Sequence, residues 1–332
     1  MGTHTSIARG PGGTLHVAYR DEDAGALKYA FGVPAGGSYT WRVVALDDVG
    51  GAGRYTSISV DGRGVPGIAY RVDSVAEGDT FFSEVRYRLA KNDAPGQATD
   101  WNAPFVIQRR ELAQADPETG AYPEGTGLFT AQARDRDGLP VVAWYDRSLG
   151  ALWLARFAGA GFSEPELLAG WGHPDPELDG DMGTNVDLAI DAQGQTHLCF
   201  QNGLDDTLRY LAPELGLDEV IDDGVRLNDG GRSYAVHVVG EDCNLRLTAD
   251  GSPVVVYQDA TGHDLLMARR AGGEDGGWIR RVLRGDEAMY RGAFGFYARA
   301  RLDGARIWIS NYVYRHEEQP AVEGLEIFSE DL

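Results

Sequence analysis

"DGRGVPGIAYRVD", residues 61–73, decides how this chain is read. An aspartate with a glycine three places on makes a tight turn, an apolar run follows and ends in the aromatic Tyr70, and then comes an acidic residue. The phrase, completed by a strand of the type L-x-Y-A, recurs as "GGTLHVAYRD…ALKYAF", "GVPGIAYRVD…EVRYRLA", "GLPVVAWYD…ALWLARF", "GQTHLCFQN…TLRYLAP", "GSPVVVYQD…DLLMARR" and, most worn, "GARIWISNY…GLEIFSE". The residue that closes the apolar run is Tyr19, Tyr70, Trp144, Phe200, Tyr257 and finally the non-aromatic Ser310, at spacings of 51, 74, 56, 57 and 53 residues. Repeats near this period are those of propeller blades, each a sheet that cannot bury its faces alone.

Working outward, each repeat reads as four short strands bounded by Gly, Pro, Asp and Asn. In the second they are expected at Thr56–Asp61, Val65–Arg71, Glu84–Ala90 and Phe105–Gln108. The aspartates at Asp61–Gly64, Asp135–Gly138 and Asp191–Gly194 are read as turn-makers rather than ligands. The expected fold is all-β: a six-bladed β-propeller of four-stranded antiparallel blades, one domain over 1–332, with blades near 5–50, 51–110, 125–170, 181–228, 237–284 and 292–332. Ser57, Ser59, Ala131, Ala133 and Ala189 suit the crowded innermost strand. The last repeat supplies only three strands; a seven-bladed ring is the structural alternative, although too few residues remain to build a further blade.

Composition agrees with a turn-rich, aromatic-rich β protein: 332 residues hold 45 glycines, 15 tyrosines and 7 tryptophans. The net charge of −21 opposes binding to a phosphate backbone, so no nucleic-acid partner is expected. No apolar run is long enough to span a bilayer, and membrane insertion is not expected. The chain opens directly in a blade strand, which reads as a module with neighbouring domains in a longer protein. Cys199 and Cys243 lie in adjacent repeats and are read either as a disulfide, which would favour a secreted or periplasmic address, or as two buried thiols.

The long segments 73–83, 109–126, 170–184, 222–237, 284–293 and 315–324 all leave the repeats on one face, where binding loops are expected, and His4, His173, His237, His263 and His316 map to that face. Arg54, Arg232 and Arg291, each beside a tyrosine (Tyr55, Tyr234, Tyr290), form a candidate ligand-binding set for a carboxylate or other planar anion. Asp175, Asp179 and Asp181 are the candidate metal ligands, with Ca²⁺ the ion such oxygens suit; otherwise no cofactor is expected.

The order of turn, aromatic-ended strand, acidic residue and L-x-Y-A strand resembles bacterial β-propeller repeats and is distantly similar to NHL-like and sialidase-like propellers over nearly the whole chain. That resemblance implies architecture and not activity. The sialidase Asp-box is absent, since "SVDGRGVP" at Ser59–Pro66 has its glycine at another offset and no tryptophan. With no nucleophile elbow and no phosphate-binding loop, the expected function is a non-catalytic module that binds a protein, peptide or glycan at the loop-rich face. The alternative is a hydrolase or lyase acting on an anionic substrate at the channel mouth, with His237 and Glu241 or Asp242 moving the proton.

Overall fold

The D-x-x-G phrase makes the same turn each time in the computed structural model, which describes residues 1–112, 125–226, 236–271, 277–285, 292–315 and 321–332. Asp61 Oδ1 accepts from the backbone N–H groups of Arg63 and Val65 at 2.9 and 2.8 Å, Asp135 Oδ1 from Asp137 and Leu139 at 2.9 and 2.8 Å, and Asp191 Oδ1 from Gln193 and Gln195 at 2.9 and 2.8 Å. The glycine N–H closes each turn on the aspartate carbonyl. These carboxylates hold the chain reversal between the first two strands of a blade.

Six separate antiparallel sheets follow one another along the chain, so the protein is an all-β six-bladed propeller. They fall into two compact units. The first, Met1–Asp179, holds blade 1, with β1 (Gly2–Arg9), β2 (Leu15–Asp21), β3 (Ala26–Ala35) and β4 (Ser38–Asp47); blade 2, with β5 (Arg54–Val60), β6 (Pro66–Glu77), β7 (Thr80–Leu89) and β8 (Phe105–Glu111); and blade 3, with β9 (Thr126–Arg134), β10 (Pro140–Asp146), β11 (Ala151–Arg156) and β12 (Glu166–Ala169). The second, Gly180–Leu332, holds blade 4, with β13 (Met182–Ile190), β14 (Thr196–Asn202), β15 (Thr207–Ala212) and β16 (Leu217–Asp222); blade 5, with β17 (Val239–Leu247), β18 (Pro253–Asp259), β19 (Asp264–Arg270) and β20 (Trp278–Arg284); and blade 6, with only β21 (Gly292–Asp303), β22 (Arg306–Arg315) and β23 (Val322–Asp331). Residues 73–83, expected as a loop, are instead a hairpin: Val75, Ala76 and Glu77 pair with Phe82, Phe81 and Thr80, extending β6 and β7 past the body of the blade.

Within each unit the apolar cores lie between neighbouring blades. Leu27, Tyr29 and Leu46 of blade 1 pack with Ile68, Tyr70 and Val72 of blade 2, and Leu208, Tyr210 and Ile221 of blade 4 with Leu245, Val255 and Tyr257 of blade 5. Burying side chains of this size is worth about 1.5–3 kcal/mol each. The aromatic that closes β6, β10 or β18 adds a directed bond to this packing. Tyr70 Oη donates to Asp47 Oδ2 at 2.6 Å, Trp144 Nε1 to Gln108 Oε1 at 2.8 Å and Tyr257 Oη to Asp222 Oδ2 at 2.7 Å. Every acceptor lies on the outer strand of the preceding blade. Burial, with Asp47 or Asp222 alongside, pushes the Tyr70 and Tyr257 hydroxyls well above the usual tyrosine range, so both remain donors. Arg86 completes Asp47, and Arg226 and Arg280 complete Asp222.

The two histidines of the second strands are scaffold residues. His16 Nδ1 meets Tyr29 Oη at 2.7 Å and His197 Nδ1 meets Tyr210 Oη at 2.5 Å, and each tyrosine sets its ring edge against a tryptophan, Trp101 or Trp278. Cys199 and Cys243 are both buried thiols, not a disulfide; Cys243 Sγ donates to the Asn185 carbonyl at 2.9 Å. Burial pushes both thiols up. No helix among the described residues is long and apolar enough to cross a membrane.

Replacing Tyr70 with Phe leaves a buried Asp47 oxygen without its phenol donor, and urea unfolding is expected to show a loss of about 1–3 kcal/mol. Burial also lowers the His16 pKa to about 4. A folded-state pKa below the unfolded value near 6.5 gives stability that is complete above pH ~6.5 and lost as the pH falls toward 4. Thermal melts of His16→Gln across that window should show a shallower acid decline than the parent, and parallel curves would remove His16 as a cause.

Candidate functional site

Each innermost strand carries one non-glycine residue in the left-handed region: His4 (φ 48°), Tyr55 (49°), Phe129 (52°), Asn185 (56°), Asp242 (50°) and Tyr297 (54°). All six stand at the same place in their blades, inside a bulge where the pairing of the first strand with the second slips. Two residues earlier stands a glycine every time: Gly2, Gly53, Gly127, Gly183, Gly240 and Gly295. From Gly53 onward these have φ between 90° and 112°. At Gly53 the reason is also spatial, because a Cβ would lie 2.9 Å from Leu27 Cα. Bulky non-glycine residues tolerate such a conformation only where the surroundings enforce it, and such positions gather at functional sites.

What enforces it is a girdle of side-chain bonds between successive inner strands. In three blades the residue after the strained position reaches the strained carbonyl of the blade before: Thr56 Oγ1 bonds His4 O, Thr130 Oγ1 bonds Tyr55 O, and Cys243 Sγ bonds Asn185 O. A second row runs one step deeper. Ser6 Oγ accepts from Ile58 N at 3.1 Å, Asp187 Oδ2 from Leu245 N at 2.8 Å, and Asn244 Oδ1 from Ala300 N at 2.7 Å.

In the first unit the strained side chains form an aromatic arc. The His4 and Tyr55 rings lie 4.8 Å apart, and those of Tyr55 and Phe129 5.1 Å apart. Beside the arc, Arg54 and Arg71, paired across β5 and β6, converge on one carboxylate: Arg54 Nε is 2.7 Å from Asp73 Oδ2 and Arg71 Nε is 3.2 Å from Asp73 Oδ1. Arg20 approaches the same group at 3.9 Å but is held by Glu22 at 2.8 Å and by the carbonyls of Gly51 and Ala52. Burial, reinforced by the Arg54 charge, lowers the His4 pKa, so its imidazole is neutral near pH 7.

In the second unit the equivalent positions are polar and linked in series. Asp242 N donates to Asn185 Oδ1 at 3.3 Å, and Tyr297 N donates to Asp242 Oδ2 at 2.7 Å. Glu241 precedes Asp242 and faces Gln258 across β17 and β18. Burial is the largest influence on both acids and raises both pKa values; for Glu241 the charges of Asp242 and Asp206 add to it, and for Asp242 the Tyr297 N–H and Arg299 oppose it.

The residues expected from sequence fare differently. Arg54, Tyr55, Glu241 and Asp242 stand at the strained bulges. Arg232, Tyr234, Tyr290, Arg291 and His316 lie outside the described residues. His237 is buried, 2% exposed, and takes Asp259 as its carboxylate, with Nδ1 at 2.7 and 3.0 Å from the two oxygens. Asp175 accepts from Glu177 N and Asp179 from Gly172 N, both as turn-makers, and Asp181 belongs to the second unit, where its carbonyl holds Gly203 N. Among the described residues no cluster of His, Cys, Asp and Glu is placed to hold a metal ion. Arg20, Arg71 and His4 were missed as site residues. The glycine two places before each strained position was available as their signal, and so was the polar residue that follows the strand-closing residue of each repeat.

The sequence matches no protein-family model and no curated protein. Its fold is similar to that of an α-L-arabinofuranosidase from Fusarium graminearum in complex with an iminosugar inhibitor, at 10% identity and a TM-score of 0.57, with 98% of this chain and 92% of that chain covered. It is similar also to the GH93 α-L-arabinofuranosidase of that organism in complex with arabinobiose, at 10% identity and a TM-score of 0.56 over 98% and 92% of the two chains. These likenesses correct the expectation of a non-catalytic recognition module: both of these solved structures, similar along nearly the whole chain, are enzymes, one of them holding a sugar.

If the left-handed bulge depends on its glycine, Gly53→Ala will destabilise the protein by more than about 1 kcal/mol in chemical denaturation, because it adds both a positive-φ penalty and the Leu27 clash.

Proposed function

We infer that the protein is a carbohydrate-active hydrolase whose proton donor is Glu241. The observation that carries this reading is the pair Glu241–Asp242, two adjacent carboxyl groups with raised pKa values on the strained bulge of an inner strand. A general acid works best when its pKa lies near the working pH, and burial beside like charges is how proteins raise a carboxyl into that range. Asp242 is fixed by its bonds to Asn185 and Tyr297 and acts here as a positioning residue, its charge adding to burial in raising the Glu241 pKa. The fold likeness to arabinofuranosidases supports a glycosidic bond as the target.

In the reaction, Glu241 Oε gives its proton to the glycosidic oxygen as the bond from that oxygen to the anomeric carbon breaks. Water adds to the anomeric carbon, and the proton it loses restores the acid through solvent. Because the acid must be protonated, activity falls as the pH rises through its pKa, and the raised value carries activity above the ordinary glutamate range.

The test is turnover on a panel of arabinan-derived and uronate-containing oligosaccharides, read as new reducing ends. Glu241→Gln, which keeps shape and removes the proton, should lower kcat by about 10²–10⁴-fold and remove the alkaline limb of the pH profile. Unchanged turnover in Glu241→Gln would refute the assignment. Products carrying a new ultraviolet-absorbing double bond would make the enzyme a lyase.

A further inference from the structure

We propose that Arg54 and Arg71, with the aromatic arc of His4 and Tyr55 beside them, form a binding site for the carboxylate of a uronic acid in an acidic glycan. The inference rests on the glycan-active reading above for its ligand class, but it stands on a separate set of residues, all in the first unit.

Two guanidinium groups here share one carboxylate, whereas three other arginines of the first unit have several partners each. Arg86 has both Asp47 and Glu84; Arg134 bonds the Ser59 hydroxyl and the carbonyls of Ser59 and Gly138; Arg20 has Glu22 and two backbone carbonyls. The nearest approach of Arg54 and of Arg71 to Asp73 is through Nε, without the alignment of a hydrogen bond, and their terminal amino groups make no hydrogen bond among the described residues. Arg71 is more than nine-tenths buried, so its charge is removed from water with half a partner. Burial accordingly lowers its pKa, with Asp73 acting in the opposite sense. An uncompensated buried charge is costly, and a second carboxylate would remove that cost.

Geometry and access agree with this charge count. The Arg54 side chain is 34% exposed and Asp73 29%, so the pair opens to solvent on one side while Arg71 closes the other. A guanidinium presents a planar fork that matches a carboxylate with two parallel bonds, and a uronic acid carries that group on a ring whose C–H face can lie against Tyr55. Tyr55 cannot drift, because its carbonyl is clasped by Thr130 and its ring is bracketed by His4 and Phe129. In a chain of net charge −21 the binding has to be local, one carboxylate at one fork, since the rest of the surface repels a polyanion.

The experiment is calorimetric binding to the full chain carrying Glu241→Gln, so that turnover does not intervene. The probes are a galacturonate trisaccharide, its methyl ester, and a neutral oligosaccharide bearing a sulfate. The acid should bind about tenfold or more tightly than its ester, and Arg54→Gln should erase that difference. Arg71→Lys, which keeps the charge and loses the fork, should lower acid affinity by a similar factor, with melting curves confirming that it is folded. Equal binding of acid and ester, no binding of either, an unaltered acid affinity in Arg54→Gln, or a preference for the sulfated probe would each overturn the assignment. The two readings fail separately: Arg54-dependent binding without any hydrolysis by the parent protein would sink the hydrolase and leave the subsite. Glu241-dependent cleavage of neutral oligosaccharides, with no advantage for acids, would do the reverse.

Discussion

Among the described residues no backbone ladder joins one blade to the next within a unit, and each unit is organised around that constraint. Each sheet completes its ladder within itself, so adhesion between neighbours in a unit falls mainly to side chains, beside single backbone bonds such as Val239 N to Asp206 O and Phe294 N to His263 O. Apolar burial supplies most of the energy but is non-directional and would let sheets slide. The strand-closing aromatics answer this by carrying a polar tip. Tyr70, Trp144 and Tyr257 bury a large ring between sheets and place one donor on an acceptor at the rim of the preceding blade, which fixes the offset of the pair. The acceptors at Asp47 and Asp222 are charged and buried, and each needs its own arginines, so the lock extends into an ion network rather than ending at one bond.

At the inner end the same constraint produces the strained bulges. Each of the six first strands slips its register against the second strand, turning one residue into the left-handed region. The hydroxyl, thiol and carboxamide bonds of the girdle hold that turn from the adjacent blade. The consequence for function is pre-organisation: side chains at these bulges are aimed by backbone that the scaffold over-determines, and little ordering remains to be done when a ligand arrives.

Much of the fold was legible because the repeat is itself a statement about scaffold. The D-x-x-G turns, the aromatic positions and the three strands of the last blade could be read from spacing, since turn chemistry and burial act over a few residues. The site was less legible. Arg54, Glu241 and Asp242 were found as charged residues near expected strand starts, but Arg71 and Arg20 hid behind the aromatic that draws attention in the repeat. His237 read as a loop base and is a buried partner of Asp259, a contact spanning 22 residues that no local pattern announces. The hairpin at 73–83 was taken for a loop because its Asp, Ser and Gly residues look like turn chemistry, whereas pairing with β7 supplies what those residues lack in propensity.

A comparison among the blades themselves separates what the architecture demands from what it leaves free. The glycine two places before the strained residue occurs six times, yet the strained residue is His, Tyr, Phe, Asn, Asp and Tyr in turn. A position needed for packing would narrow to one size and polarity, as the aromatic of the second strand nearly does. Side chains at the bulge instead span aromatic, amide and acid while the backbone beneath them stays the same. The residues before them vary as widely, from Thr3 and Leu128 to Arg54 and Glu241, and the buried residue opposite varies with them: Arg71 faces Arg54 and Gln258 faces Glu241. A scaffold that holds its geometry with glycine and girdle bonds leaves these positions to chemistry. The charged members of the set are therefore where the activity of this chain is to be sought.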